Sequence, residues 1–300
     1  MELEFRSPTI QDRKIFHKLK NSFDNISSES AFGTLYLWSD AYNISVCESH
    51  GLFFKKINER IPLYEFPRGI SSEEDLKKGI ELLNLNSLKS SKVNLHLTGL
   101  IHSEVQLLKK VFPGKFLYTE DRDNYDYIYK ISDLANLKGK KYHGKRNHIL
   151  KFKKTYDWKY VTLSSENKEE GLKFFEKWFS LKTKNKIVSN LKEYVAIKKA
   201  IENYEDLQLV GGLIYSSNEI IACTIGEKIN SKVLLVHFEK AFSSFEGAYS
   251  VINNEFCQSF ESEFEFVNRE EDMGIPGLRK SKLSYKPSML LEKYRAVLEG

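Results

Sequence analysis

Between Leu207 and Lys240 three apolar segments of strand length follow one another: Leu207–Tyr215, Glu219–Lys228 and Lys232–Lys240. Ser216-Ser217-Asn218 and Asn230-Ser231 are the turns between them. Connections this short join antiparallel neighbours, because a parallel pair needs a crossover of about a dozen residues or more. The run therefore dictates an antiparallel meander in the second half of the chain. A strand at Trp158–Leu163 and two amphipathic helices, Lys168–Leu181 and Leu191–Tyr204, are expected before it. A helix over Ser244–Phe260, a strand at Glu265–Asn268, a long polar loop and a final strand near Met289–Ala296 are expected after it.

The first half reads as a looser version of the same order. Helical runs follow Ser7-Pro8 as far as Leu19 and cover Glu29–Ser39. Strand-like segments lie at Asn43–Glu48, Leu52–Ile57 and Ile61–Phe66. A helix from Ser72, placed to cap it, to Leu85 comes next, then a strand at Val93–Thr98 and a helix at Ser103–Val111. Two strands, Phe116–Thr119 and Tyr125–Ile131, close the half. The halves share no residue-level repeat, so the duplication rests on element order. That order is similar to the GNAT acyltransferase layout. The expected fold class is α/β (α+β): two tandem GNAT-like units, each a mixed, largely antiparallel sheet flanked by helices. A chain of 300 residues suits two domains, divided here as 1–135 and 136–300.

Composition excludes several alternatives. Hydrophobic residues make up 41% of the chain, with 16 Tyr and 20 Phe, far from the composition of a disordered protein. The 46 basic and 41 acidic residues leave a net charge of +5, too mild to name a nucleic-acid binder by itself. Cys47, Cys223 and Cys257 are widely spaced and form no CxxC pair, so no zinc site or disulfide framework is expected, and buried thiols are. The opening residues have no signal-peptide character, and no stretch approaches the ~20 apolar residues of a membrane helix. Cytoplasmic residence is the expectation.

Four constellations carry candidate chemistry. A basic run from Lys138 to Lys154, expected on a helix from Leu137 to Tyr156, includes Tyr142, His143 and the set Lys145-Arg146-Asn147, which suits phosphate. A lysine-rich solvated helix accounts for the same residues. Gly139 and Gly144, poor helix formers, would let a ligand approach the backbone. The second is His237-Phe238-Glu239-Lys240: strict alternation puts Leu235, His237 and Glu239 on one face, with Glu239 the preferred general base and His237 the second choice. A satisfied core histidine and a strand-end ion pair are the alternative. The third is Ser243-Ser244-Phe245-Glu246-Gly247-Ala248, where coenzyme A enzymes of this fold carry a glycine-rich pyrophosphate loop. Phe242 and Phe245 spoil that motif, and Ser243 with Glu246 reads as a capping box.

The fourth runs from Asn268 to Pro287, past the end of a strand, where ligands of α/β proteins tend to bind. Arg269, Arg279 and Lys282 are candidates to hold anionic groups. Glu270 and Asp272 are candidates to meet an amine or orient Arg269, with Glu270 a second possible base. Asn268 joins the binding set, and Tyr285 is placed to protonate a leaving group.

This run, with His237–Ala241, Gly247 and Lys145-Arg146-Asn147, resembles an uncharacterised bacterial family grouped with the C-terminal domain of phosphatidylglycerol lysyltransferase. The resemblance covers the chain from about Ala31 onward. It implies a tandem GNAT-like fold and, as an activity, transfer of an aminoacyl group from aminoacyl-tRNA to an amine or hydroxyl. Its implied partners are tRNA and an anionic small-molecule or headgroup acceptor. The chain departs from the lysyltransferases in having no multi-helix membrane portion. An acyl-CoA-dependent N-acyltransferase and a non-catalytic GNAT-fold binder of tRNA or an anionic metabolite stay open. No metal is expected.

Overall fold

The computed structural model describes residues 3–19, 26–182 and 188–299, without the side chains of 182 and 188–190. The chain forms two units, one of Met1–Asp126 with Leu291–Gly300, the other of Tyr127–Leu290. The break thus falls at 126/127 rather than 135/136, and the last ten residues return to the first unit.

The first unit contains α1 (Asp12–Lys18), α2 (Phe32–Leu37), β1 (Ile44–Ser49), β2 (Leu52–Ile57), β3 (Leu63–Tyr64), α3 (Glu73–Ser91), β4 (His96–Leu100), α4 (His102–Val111) and β5 (Phe116–Glu120). Ser72 caps α3 as expected, accepting the Asp75 amide at 3.1 Å, and Glu73, Glu74 and Asp75 line the positive helix start. The helix expected over Glu29–Ser39 is broken into a short 3-10 turn, Ser28–Ser30, and α2. The C-terminal strand Tyr294–Leu298 lies antiparallel between β4 and β5. Lys293, 1% exposed, anchors that segment on Asp126 at 2.8 Å and on Glu29. Phe54 and Tyr64 from the sheet strands β2 and β3 pack with Leu76 and Leu83 of α3 and Leu97 of β4 to form the core of this unit.

The second unit contains β6 (Asp126–Lys130, whose first residue belongs to the other unit), α5 (Ile131–Asn136), α6 (His143–Thr155), β7 (Trp158–Leu163), α7 (Lys168–Lys182) and α8 (Val188–Glu202). It continues with β8 (Val210–Ser216), β9 (Glu219–Lys228), β10 (Val233–Ala241), α9 (Ala248–Phe260), β11 (Phe266–Asn268), α10 (Pro276–Ser284) and β12 (Met289–Leu291). The sheet order is β12-β6-β11-β10-β9-β8-β7. The central meander is present, and β11 runs parallel to β10. The α9 side chains Phe256 and Cys257 pack with Leu234, Val236 and Val267. Both units are mixed, largely antiparallel sheets flanked by helices, the class read from the sequence. All three cysteines are free and buried.

Four further sequence expectations change. The basic helix starts at His143, because Leu137 and Gly139 both take positive φ and a 3-10 turn spans Lys140–Tyr142. No capping box forms at Ser243 and Glu246: α9 begins at Ala248 after Gly247 at φ 92°. The polar loop contains a helix, α10, started by Pro276. The expected final strand splits into β12 and Tyr294–Leu298 (β13), which belong to different sheets.

Candidate active site

Strand β10 carries a bulge that rearranges the site. Its register on β9 pairs Val236 with Gly226 and Phe238 with Ile225, leaving His237 as the extra residue. Directly paired residues share a face. Leu235 therefore lies on the face of Glu227, while Glu239 lies on the face of Thr224, the opposite one. The shared face expected for Leu235, His237 and Glu239 is lost, because one inserted residue reverses the alternation beyond it.

On its face Glu239 meets the loop after β11 and helix α9. Arg269 Nη2 donates to Glu239 Oε1 at 2.7 Å, and Asn253 Nδ2 donates to Oε2 at 3.1 Å. The side chains of Arg269 and Glu239 are 11% and 9% exposed, so this is a buried ion pair. Burial works against the Arg269 charge, and Glu239 more than restores it, raising the guanidinium pKa. Arg269 Cζ also lies 4.8 Å from the centre of the Tyr285 ring. Lys145, from the first turn of α6, sets its Nζ 3.6 Å from the same centre. Burial, then the Arg269 charge, lower the Lys145 amine to about 8, with Glu239 opposing. The Tyr285 hydroxyl sits 3.5 Å from Ser250 Oγ on α9, and burial raises its pKa.

The loop that presents Arg269 is tied down by its own residues. Asn268 is fully buried, and its Oδ1 accepts the Glu270 amide at 2.7 Å. Asp272 accepts Arg279 Nη2 at 2.7 Å and Nε at 2.8 Å, Tyr127 Oη at 2.5 Å and the Gly274 amide at 2.9 Å. Burial raises the Asp272 pKa, but the bonds from Arg279, Tyr127 and Gly274 outweigh it and hold the carboxyl at about 2. Lys282 Nζ donates to the carbonyls of Arg269 and Glu271. Asn268, Asp272, Arg279 and Lys282 thus shape the loop, and Arg269 alone of the expected anion-binding trio faces Glu239 and Tyr285.

His237 Nδ1 lies 2.9 Å from Glu270 Oε1, and Nε2 lies 3.6 Å from Glu227 Oε2. Burial disfavours the imidazolium, yet these two carboxylates override it and raise the pKa to about 9. A ring that already carries both protons near neutral pH has no lone pair with which to act as a base. Glu270, at φ 54°, is engaged by that ring.

The basic run is partly consumed as well. Arg146 donates to the carbonyls of Leu137 and Gly139, the latter at 2.7 Å, holding the bend before α6. Asn147 is exposed and pairs with His143 Nε2 at 3.1 Å. Lys141, Lys151 and Lys153 pair with Asp133, Glu246 and Glu255. Helix α6 also covers the start of α9: a Cβ on Gly247 would lie 2.7 Å from the His148 carbonyl oxygen. The amides of Ala248 and Ser250 bond to the carbonyls of Phe245 and Gly247.

The sequence reading missed Asn253, Ser250, Glu227 and Tyr127. For Asn253 a signal existed: Asn253-Asn254 directly follows the apolar pair Val251-Ile252 on a helix whose other apolar residues include Phe256, Cys257 and Phe260. Such residues are kept in a buried stripe only with polar partners.

A conserved protein of unknown function from Bacteroides thetaiotaomicron VPI-5482 superposes on this chain with a TM-score of 0.90 at 34% identity, covering 99% of this chain and 100% of that one. L-PGS from Bacillus licheniformis superposes with a TM-score of 0.66 at 13% identity over 99% of this chain and 94% of that one, a likeness of fold. An uncharacterised protein of Mycoplasmoides gallisepticum is 25% identical over 223 residues, 73% of this chain and 68% of that protein. The family described as phosphatidylglycerol lysyltransferase, C-terminal, matches residues 20–297, a span that includes Glu239, Arg269 and Tyr285. The chain belongs to the phosphatidylglycerol lysyltransferase C-terminal family.

Proposed function

We propose that this protein transfers an aminoacyl group from aminoacyl-tRNA to an amine or hydroxyl acceptor, with the chemistry centred on Lys145, Arg269 and Tyr285. The observation that carries the reading is Lys145: a partly buried amine with its pKa near 8, over Tyr285 and close to the charge of Arg269. An amine tuned this way exists in both protonation states near neutral pH, as a proton acceptor in acyl transfer requires. The acceptor's nucleophilic atom bonds to the aminoacyl carbonyl carbon while its proton passes to neutral Lys145. Arg269 supports the negative charge that develops on the carbonyl oxygen. The ester bond to the tRNA ribose then breaks, and the proton leaves Lys145 for the departing ribose oxygen.

Family membership supports this donor. Lys138, Lys140 and Lys154 are exposed and carry no carboxylate partner among the described residues, which suits a phosphate backbone. The start of α9 is closely approached by the His148 carbonyl oxygen, which weighs against an acyl-CoA donor, whose pyrophosphate needs open access to helix amides.

The test is transfer of a labelled amino acid from tRNA to amine and hydroxyl acceptors, with thermal shifts against aminoacyl-tRNA, uncharged tRNA and acetyl-CoA. A ligand at 100 times its Kd adds about 2.7 kcal/mol of stability. Transfer by the wild type that is lost in Lys145→Ala supports the reading. A shift with acetyl-CoA and none with aminoacyl-tRNA overturns it.

A further inference from the structure

The first unit holds a cluster of ionisable side chains that the transfer reading leaves unused. It lies past the carboxyl ends of β3 and β4, which run parallel with Tyr64 opposite Leu97. Ligands of α/β sheets tend to bind outside the carboxyl ends of such strands. Glu65 follows β3 directly and pairs with Lys55 of β2. Glu29, from the 3-10 turn, meets Gly99 of β4: a Cβ on that glycine would stand 3.4 Å from Glu29 Oε1. Lys293 seats its ammonium on Glu29 at 2.7 Å, Asp126 at 2.8 Å and Ser28 Oγ at 3.0 Å. Glu104, in the first turn of α4, completes the set. Its Oε2 accepts the Ile101 amide at 3.0 Å. Its Oε1 has no hydrogen-bond partner among the described residues, and none of their cations stands within ion-pair distance of the carboxyl. Arg68 is the third cation of the cluster, but it lies over the Phe16 ring at 3.7 Å and donates to the Phe16 carbonyl at 3.3 Å.

Four carboxyls, Glu29, Glu65, Glu104 and Asp126, thus face three cations, Lys55, Arg68 and Lys293, and Glu104 is the one left without a counterion. Glu104 is 6% exposed, while the side chains of Glu29 and Glu65 keep 24% and 16% of their surface, so the cluster is open to solvent. Burial, then the charges of Glu29 and Glu65, raise the Glu104 carboxyl to about 8, with the Ile101 amide and Arg68 opposing. Capping α4 does not require this charge, since a glutamine caps from the same position.

We propose that this crevice binds a primary ammonium group of an organic ligand, with Glu104 as its counterion and Glu29 and Glu65 beside it. Lys293 shows the chemistry that the cluster accepts, an ammonium donating to three neighbouring oxygens. Among the described residues no three carboxylates converge as metal ligands do, which favours an ammonium over a bare metal ion. As the ligand binds, the Glu104 carboxyl gives its proton to solvent and the ammonium keeps its own. The site lies wholly within the first unit and does not depend on the transfer reading.

The experiment is calorimetric titration of the full chain with n-butylamine and 1,4-diaminobutane. Controls are n-butanol, which has no charge, and tetramethylammonium, which has no N–H donor. Running each in two buffers of different ionisation enthalpy counts the protons released. The expected result is that at least one amine binds and that both controls bind at least about tenfold more weakly. About one proton is released per amine at pH 7, declining as pH passes 8. Glu104→Gln keeps the cap, weakens the amine by about ten- to a hundredfold and abolishes the proton release. If that variant fails to fold, proton release and the control comparison on wild-type protein decide alone. The proposal is overturned if no amine binds, if either control binds equally, if binding releases no proton, or if a folded Glu104→Gln variant binds the amine as the wild type does.

Discussion

Arg269 reaches back 30 residues to Glu239 and donates to it at 2.7 Å, joining the loop after β11 to the far side of the β10 bulge. Both side chains are nearly buried, so each charge depends on the other. Glu239→Gln leaves the guanidinium uncompensated and is expected to cost about 3–5 kcal/mol in urea unfolding. Glu239→Gln combined with Arg269→Met recovers a large part of that loss, since a buried pair replaced as a whole is far less costly than a broken one. Equal losses in the single and double variants would contradict the pairing.

His237 predicts a pH dependence on the alkaline side. Its folded pKa, about 9, lies above the ordinary 6.5, because the neighbouring carboxylates of Glu227 and Glu270 outweigh burial. A raised pKa means stability that is complete below the unfolded value and declines as pH rises through the folded one. Stability is expected to fall between about pH 6.5 and pH 9, by on the order of 3 kcal/mol, and His237→Gln flattens that window. Urea unfolding of both proteins at the two ends of the window measures it.

Lys145 has the opposite sign. Its folded pKa, about 8, lies below the ordinary 10.5, so the unfolded chain binds more protons between those values and stability gains from rising pH there. Lys145→Met removes that contribution. The same amine sets an expected inflection near pH 8 in the rate of aminoacyl transfer, rising as the amine loses its proton. A transfer profile with the same inflection in Lys145→Met would rule out its role as base.

Asp272 and Arg279 form a shape-giving pair, and substitution of either is expected to act on stability first. The Asp272 carboxyl titrates near 2 instead of 3.8, so its stabilisation is present above 3.8 and is lost as pH falls toward 2. Asp272→Asn is expected to cost about 2 kcal/mol at neutral pH and to shift acid unfolding correspondingly less. Arg279→Ala lowers the melting temperature as well. If Arg279→Ala kept full stability and lost only ligand affinity, Arg279 would instead be a ligand-contacting residue.

Gly247 is required by backbone geometry. At φ 92°, with the His148 carbonyl oxygen 2.7 Å from where a Cβ would stand, Gly247→Ala combines strain with a clash against α6. A loss of about 1–3 kcal/mol is expected, read as a drop in melting temperature. An unchanged melting temperature would mean that α6 is free to move away from α9.

Much of the fold is legible locally. The turns at Ser216–Asn218 and Asn230-Ser231, the apolar runs between them and the Ser72 cap each act over a few residues, so pattern alone predicts the meander and the α3 start. Pro276 inside the expected loop is a helix-start signal of the same class, masked by the loop-forming Gly274 and Gly277 on either side. The roles within the candidate site are less legible. Arg146, Arg279 and Lys282 look like ligand-binding cations in sequence, and only the folded chain places carbonyls and a carboxylate against them.

By itself, the sequence determined the class of fold and the order of elements in the second unit, and it singled out two stretches, around residues 145 and 269, that the fold brings together over Tyr285. These follow from periodicity and turn chemistry, which depend on near neighbours. Tertiary structure alone decided which face Glu239 takes, because a single extra residue at His237 reverses the alternation. It also decided that His237 is buried between Glu227 and Glu270, that Asn253 donates to Glu239, and that β13 joins the first sheet. Each of these depends on partners brought together from distant parts of the chain, and no local pattern of residues records them.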